Sequence, residues 1–182
     1  MPTQRFSAKS PDAIAILKAD HAKVKKLFTE FARLHKAESA DEAERVAKQI
    51  CNELKIHTTV EEEIFYPEVR AAIGDEDLMD EAEVEHASAK ELIAQIESMT
   101  PADDKYAAKV IVLGEYIDHH VKEEHTDMFP KAKKTDLDMH ELGGRIMARK
   151  NDLKAEMGMG DDDDAAKRAS SRAYGSTHAG RS

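Results

Sequence analysis

Apolar side chains recur at alternating three- and four-residue steps over four long stretches of the chain, and in each stretch a histidine interrupts them. The first stretch reads Ile14, Leu17, His21, Val24, Phe28, Phe31, and the second Ile50, Leu54, His57, Glu61, Ile64. The third reads Met79, Ala82, His86, Ala89, Ile93, Ile96, and the fourth Tyr106, Val110, Leu113, Ile117, His120, Glu124, Met128. This spacing puts one apolar stripe on each helix, and four such stripes close around a shared interior. The pattern predicts an all-α fold, an up-down-up-down four-helix bundle with a short C-terminal fifth helix.

Local signals set the boundaries. Ser10-Pro11-Asp12 reads as a cap, a proline at the first helical position and an acid in the first turn, and predicts a helix over 11–36. Ser39 with Glu42 reads as a capping box for a second helix, which runs to about residue 72 and stops at Gly74. A third helix is expected over 76–98. Thr100-Pro101 repeats the cap-plus-proline start for a fourth, ending near 133. Thr135 with Asp138 opens the shorter fifth helix. The expected organisation is a mobile arm at 1–10, the bundle at 11–134, an accessory helix at 135–157 and a disordered tail at 158–182. In that tail four aspartates, Asp161 to Asp164, precede a stretch of Ala, Ser, Arg and Gly that buries too little apolar surface to offset its ordering entropy. A docking segment for a protein partner is the alternative reading of it.

Composition narrows the function classes. The chain is 41% hydrophobic with 5% aromatics and no Trp, so its core is aliphatic and suits helices. The formal charge of -10 speaks against nucleic acid, which needs clustered Lys and Arg, and against anionic membrane surfaces. A single cysteine, Cys51, forbids an intrachain disulfide and points to a reducing compartment. No apolar leader opens the sequence and no apolar run approaches about 18 residues, so a cytoplasmic protein without a membrane span is expected. Monomer and dimer are both compatible with the pattern.

The histidines carry the chemistry. One core histidine is ordinarily just hydrogen-bonded, but here every stripe has one, and two are followed one turn later by a glutamate. An unpaired buried carboxylate costs on the order of several kcal/mol. In an antiparallel bundle His21, His57, Glu61, His86, His120 and Glu124 all fall roughly 10 to 22 Å from the same end, at about 1.5 Å per residue. His57 and Glu61 share a helix face, as do His120 and Glu124. Four imidazoles and two carboxylates exceed one tetrahedral zinc and suit two ions, with the carboxylates bridging and the imidazoles terminal. Nitrogen and oxygen donors without thiolate favour iron, with manganese or zinc as lesser candidates. Glu62, Glu85 and Glu123 are candidates to orient the imidazoles, with a solvated face as the alternative. His119 points about 100° away from His120 around the helix; it could substitute as a ligand, but His120 fits the stripe. His35, His125, His140 and His178 fall off the layer, Tyr106 and Tyr116 are candidate lining residues with core packing as their default, and Cys51 is read as packing. Pro67 and Pro130 sit inside helical patterns and should bend or end them.

The segments HTTVEEEIFYP and HHVKEEHTDMFP form a weak internal repeat. Together with Asp20-His21 and Glu85-His86 they resemble the hemerythrin family, in its bacterial HHE cation-binding branch, over residues 11 to 134. The resemblance implies a left-handed bundle around a non-haem pair of iron ions with an oxo or hydroxo bridge, meeting dioxygen, peroxide or nitric oxide. Glu61 and Glu124 would bridge, and His21, His57, His86 and His120 would be terminal ligands. Oxygen-carrying hemerythrins have a further histidine where this chain has Lys90, and an aspartate where it has His125. Fewer imidazoles favour chemistry at the metal (peroxide decomposition or nitric oxide consumption in oxidative or nitrosative stress or iron homeostasis) over oxygen carriage. A non-catalytic oxygen or iron sensor, or a metal-binding interaction module, is the alternative.

Overall fold

The computed structural model describes residues 10–159. Residues 1–9 of the expected arm at 1–10, residues 160–182 of the expected tail at 158–182, and His178 within it, fall outside the described residues. The chain divides into two units, Met1–Lys150 and Asn151–Ser182. In the second, the last turns of a helix end at Glu156, and Gly158 just beyond has φ +66°.

The described residues of the first unit form the predicted all-helical bundle. α1 spans Ala13–Lys36, and Asp12 rather than Ser10 caps it, its carboxylate accepting the Ala15 N–H at 3.0 Å. An ionised cap opposes the positive end of the helix dipole more strongly than a hydroxyl does. α2 spans Ala40–Val60; Ser39 holds the cap position, but its side chain makes no capping bond, so the expected box does not form. The second rod continues through a wide π-helical turn, Glu61–Phe65, into α3 (Tyr66–Ile73), which ends at Gly74 with φ +64°. α4 spans Glu76–Glu97, capped by Asp75.

α5 spans Tyr106–Glu123, starting later than Thr100-Pro101 suggested. The Asp103 carboxylate accepts the Thr100 N–H at 2.7 Å and its hydroxyl at 3.0 Å, closing a turn instead of opening a helix. Lys105, at φ +70°, then breaks any helical run into α5. A second π turn, Glu124–Met128, leads into α6 (Phe129–Ala132). α7 spans Met139–Glu156. Asp138 caps it, accepting the N–H groups of His140 and Glu141, while Thr135 bonds back to the Ala132 carbonyl.

Neither Pro67 nor Pro130 ends its helix. Each falls in the first turn of the helix that follows a π turn, a position at which proline is tolerated.

α1 packs on α2 and α5, and α4 packs on the same two, which closes the square of the bundle. One end of the interior is aliphatic, built from residues such as Leu34, Ile50, Leu54, Ile93 and Leu113. Each such side chain contributes about 1.5–3 kcal/mol by burial. α7 is strapped on by ion pairs from Arg145 to Glu68, Arg149 to Glu63 and Lys150 to Asp20. Its Gly143 lies against the Pro11 carbonyl so closely that a β-carbon there would collide with it. Among the described residues no helix is long and apolar enough to cross a membrane.

Candidate metal centre

The histidines of the four stripes meet in two pairs. Nε2 of His21 stands 3.0 Å from Nε2 of His57, and Nε2 of His86 stands 3.1 Å from Nε2 of His120. Glu61 lies between the pairs, with Oε1 3.2 Å from His57 Nε2 and Oε2 3.3 Å from His86 Nε2. Glu124 also faces both, with Oε2 3.1 Å from His21 Nε2 and 3.7 Å from His120 Nε2. The donor atoms of His21, His57, Glu61 and Glu124 all lie within 4.8 Å of one another, as do those of Glu61, His86 and His120.

The outward nitrogens explain why the inward ones face one another. Nδ1–H of His57 donates to Asp20 at 3.4 Å, that of His86 to Glu62 at 3.0 Å, and that of His120 to Glu85 at 2.7 Å. A carboxylate only accepts, so it fixes the tautomer and leaves the Nε2 lone pair aimed inward. Nδ1 of His21 meets Nε2 of His125 at 2.9 Å instead. Lone pairs 3 Å apart repel unless a proton or a cation stands between them.

The carboxylates tell the same story. Glu61 is 0% and Glu124 1% exposed, yet Glu61 Oε1 and Glu124 Oε2 have no hydrogen-bond partner. Their nearest nitrogens are close enough but wrongly directed, which is how donors around a common point are arranged. By contrast the buried Glu53 is matched by Lys23 at 2.7 Å. Without a cation, protons take its place. Burial opposes charge on His57, but Glu61 and Asp20 override it and raise the imidazole to about 10. Burial likewise opposes charge on His86, and Glu61 and Glu62 raise it to about 9. Those imidazoles hold Glu61 well below the usual carboxylate range against the opposing effect of burial.

Residues 12–132 match the model of the hemerythrin HHE cation binding domain. The chain belongs to that family. The HHE fold is shared with a solved hemerythrin HHE cation binding domain-containing protein from Mycobacterium kansasii, at a TM-score of 0.67 and 22% identity, over 80% of this chain and 89% of that one. A protein of Nostoc sp. named as a DNA nickase is 31% identical over 114 residues, which are 63% of this chain and 31% of that protein.

In this HHE chain the wide turns bring in a residue that sequence reading passed over. The Tyr66 N–H reaches back five residues to the Glu61 carbonyl, and the Phe129 N–H to that of Glu124. Tyr66 thereby joins the face of Glu61. Its Oη is 3.1 Å from His86 Nε2, 3.3 Å from His120 Nε2 and 3.1 Å from Glu124 Oε1. Phe129 stacks on His21 at 6.0 Å between ring centres.

The remaining expectations divide. Glu62 and Glu85 do orient imidazoles, whereas Glu123 pairs with the exposed His119. Asp20 performs the same task for His57, and Lys150 pairs with Asp20. Lys90 donates to Glu62 at 2.5 Å, beside His86 rather than in the centre. His125 is not off the layer, because it touches His21. Tyr106 belongs to the aliphatic cluster and Tyr116 is 51% exposed, so neither lines the centre. Cys51 packs in the core, and burial, aided by Glu97, raises its thiol to about 11.

An enclosed cavity of about 10 Å³ touches all four histidines, with Val24, Leu54, Ile117 and Val121 among its apolar walls. An open cleft of about 580 Å³ shares His21, Ile117 and Val121 with it and is rimmed by Lys18, Lys25 and Lys122.

Proposed function

We propose that this HHE domain holds two iron ions, one against His21 and His57 and the other against His86 and His120, with Glu61 and Glu124 shared between them. The two buried carboxylate oxygens without hydrogen-bond partners, Glu61 Oε1 and Glu124 Oε2, carry the reading. Facing donors 3.0–3.3 Å apart stand close enough that one ion would be held by both. Imidazole and carboxylate without thiolate suit iron or manganese.

The space at the centre supports a small substrate. A cavity of about 10 Å³ favours a species of one or two heavy atoms. Dioxygen, hydrogen peroxide and nitric oxide meet that limit, and the reaction we favour is consumption of peroxide or nitric oxide. Bound iron supplies the redox chemistry that side chains lack. The protein contributes the rest. Asp20, Glu62 and Glu85 hold three imidazoles in place, Phe129 and the aliphatic walls exclude bulk water, and Tyr66 holds a proton at Oη between Glu124 and the His86–His120 pair. Burial, with Glu124 and Glu61, keeps that phenol protonated.

Iron content by mass spectrometry, with an absorption spectrum before and after hydrogen peroxide, tests the reading. Near-ultraviolet charge-transfer bands and peroxide consumption are expected, both lost in His57→Ala; turnover that survives this substitution sinks it. A sensing role is the second reading, supported by the line from α7 through Lys150 and Asp20 to His57. Protease sensitivity that changes with metal loading, without turnover, would favour it. Nucleic acid is not part of the proposal, since the chain carries a net charge of -10 and matches only a third or so of the Nostoc protein named for DNA nicking.

A further inference from the structure

The run His119-His120-Val121-Lys122-Glu123-Glu124 contains two His-x3-Glu pairs, one residue out of step. One residue turns a helix by about 100°. His120 and Glu124 therefore enter the bundle, while His119 and Glu123 stand on its outer face, with side chains 63% and 30% exposed.

Glu85, on α4, lies against both pairs. Its Oε2 accepts the His120 Nδ1–H at 2.7 Å, and its Oε1 is 3.5 Å from Nε2 of His119. Oε1 of Glu123 is 3.3 Å from the same nitrogen. The donor atoms of all three residues lie within 4.8 Å of one another. Donors about 2.1 Å from an ion in a tetrahedral shell stand roughly 3.4 Å apart, close to the two spacings that His119 Nε2 makes with Glu85 and Glu123. A neutral imidazole with two carboxylates carries two negative charges, which a divalent cation balances. An ion pair at such an exposed place contributes only about 0–1 kcal/mol, too little by itself to organise three side chains from two helices.

We propose that Glu85, His119 and Glu123 form a second, exposed divalent-cation site, best matched to zinc, with water completing its shell. Glu85 links it to the interior, because one carboxylate serves both His119 outside and His120 inside. A cation on its Oε1 draws charge from the carboxylate and loosens its hold on the His120 N–H. The outer site thus acts on the buried one without sharing its ion.

The test compares the full chain with the double variant His119→Ala, Glu123→Gln, whose positions are on the surface of α5 and take nothing from the core. Zinc is titrated into both by calorimetry, and bound zinc and iron are counted by mass spectrometry. The wild type should bind one zinc more per chain than the variant, or bind that ion at least about tenfold more tightly. Cobalt in its place should give the intense visible absorption of a four-coordinate ion in the wild type alone. Equal zinc stoichiometry and affinity in the two chains would overturn the proposal. The readout is a difference, so it stands apart from the buried centre. A chain that purifies without iron would count against the di-iron reading, while the extra zinc would still be present or absent.

Discussion

Tyr66 and Glu124 meet across the bundle, the hydroxyl of one 3.1 Å from Oε1 of the other although 58 residues separate them. The wide turn after Val60 makes the meeting possible. Tyr66→Phe keeps the ring and removes only the donor. Metal affinity is expected to fall about 10- to 100-fold, the usual cost of losing a group that supports a ligand. Competition with a chelator of known affinity measures it, alongside an unchanged far-ultraviolet circular dichroism spectrum.

Asp20 holds His57 through its Nδ1–H, and the ion pair to Lys150 fixes Asp20 in turn. His57 and Lys150 overcome the opposing effect of burial and keep the Asp20 carboxyl below its ordinary range. Asp20→Asn should weaken metal binding by about 10- to 100-fold. Lys150→Ala should do the same to a smaller extent. An unaltered chelator competition in Asp20→Asn would remove this residue from the centre.

Proton binding gives the metal-free chain a definite pH profile. His57 and His86 are raised to about 10 and about 9 when folded, against 6.5 in the ordinary imidazole. Their contribution is complete below pH 6.5 and is lost as pH climbs through 9 and 10. Glu61 is shifted the other way, so its contribution is present above 4.5 and is lost on acidification through its lowered value. Chelator-treated protein should therefore be most stable between about pH 4.5 and 6.5 and melt progressively lower toward pH 10. The loaded chain should not show that decline, since the cation replaces the protons. At metal concentrations near one hundred times Kd, loading is worth about 2.7 kcal/mol, or roughly 5 to 11 °C in Tm. Calorimetric scans of both forms at pH 6 and 9.5 separate these outcomes.

Gly143 seats α7 against the Pro11 carbonyl. Gly143→Ala forces the two backbones apart and should cost about 1–3 kcal/mol, a fall of roughly 2 to 12 °C in Tm. The same displacement pulls Lys150 from Asp20, so metal affinity should fall with stability. Thermal melts with chelator competition check both; loss of neither would mean that α7 contributes nothing to the centre.

The six central residues were legible in the sequence because each occupies a place in a heptad where an apolar side chain belongs. His21, His57, Glu61, His86, His120 and Glu124 are conspicuous as exceptions to a period. Tyr66 breaks no period. It lies five residues beyond Glu61, about 140° around an ideal α-helix, and only the wide turn restores it to that face. His125 was misplaced for the same reason, since counting at 3.6 residues per turn set it outside the stripe. Lys150 could not be found by spacing at all, because it belongs to another helix. Thr100-Pro101 shows the opposite failure: the right residues for a helix start were present, but the Asp103 carboxylate closed them into a turn.

The two π turns have an implication for redesign. Each holds one residue more per loop of backbone than its neighbours and begins at a buried glutamate. Excising one amino acid from the stretch between Glu61 and Tyr66, and one from that between Glu124 and Phe129, would restore unbroken α-helical winding and leave each aromatic residue four positions beyond its glutamate, about 40° around the helix and on the same face. Such a doubly shortened polypeptide would still have its aliphatic ladder to fold on. The extra residue of each turn can thus be removed with that face kept, whereas a deletion within an unbroken α-helical stretch would rotate everything beyond it by about 100°.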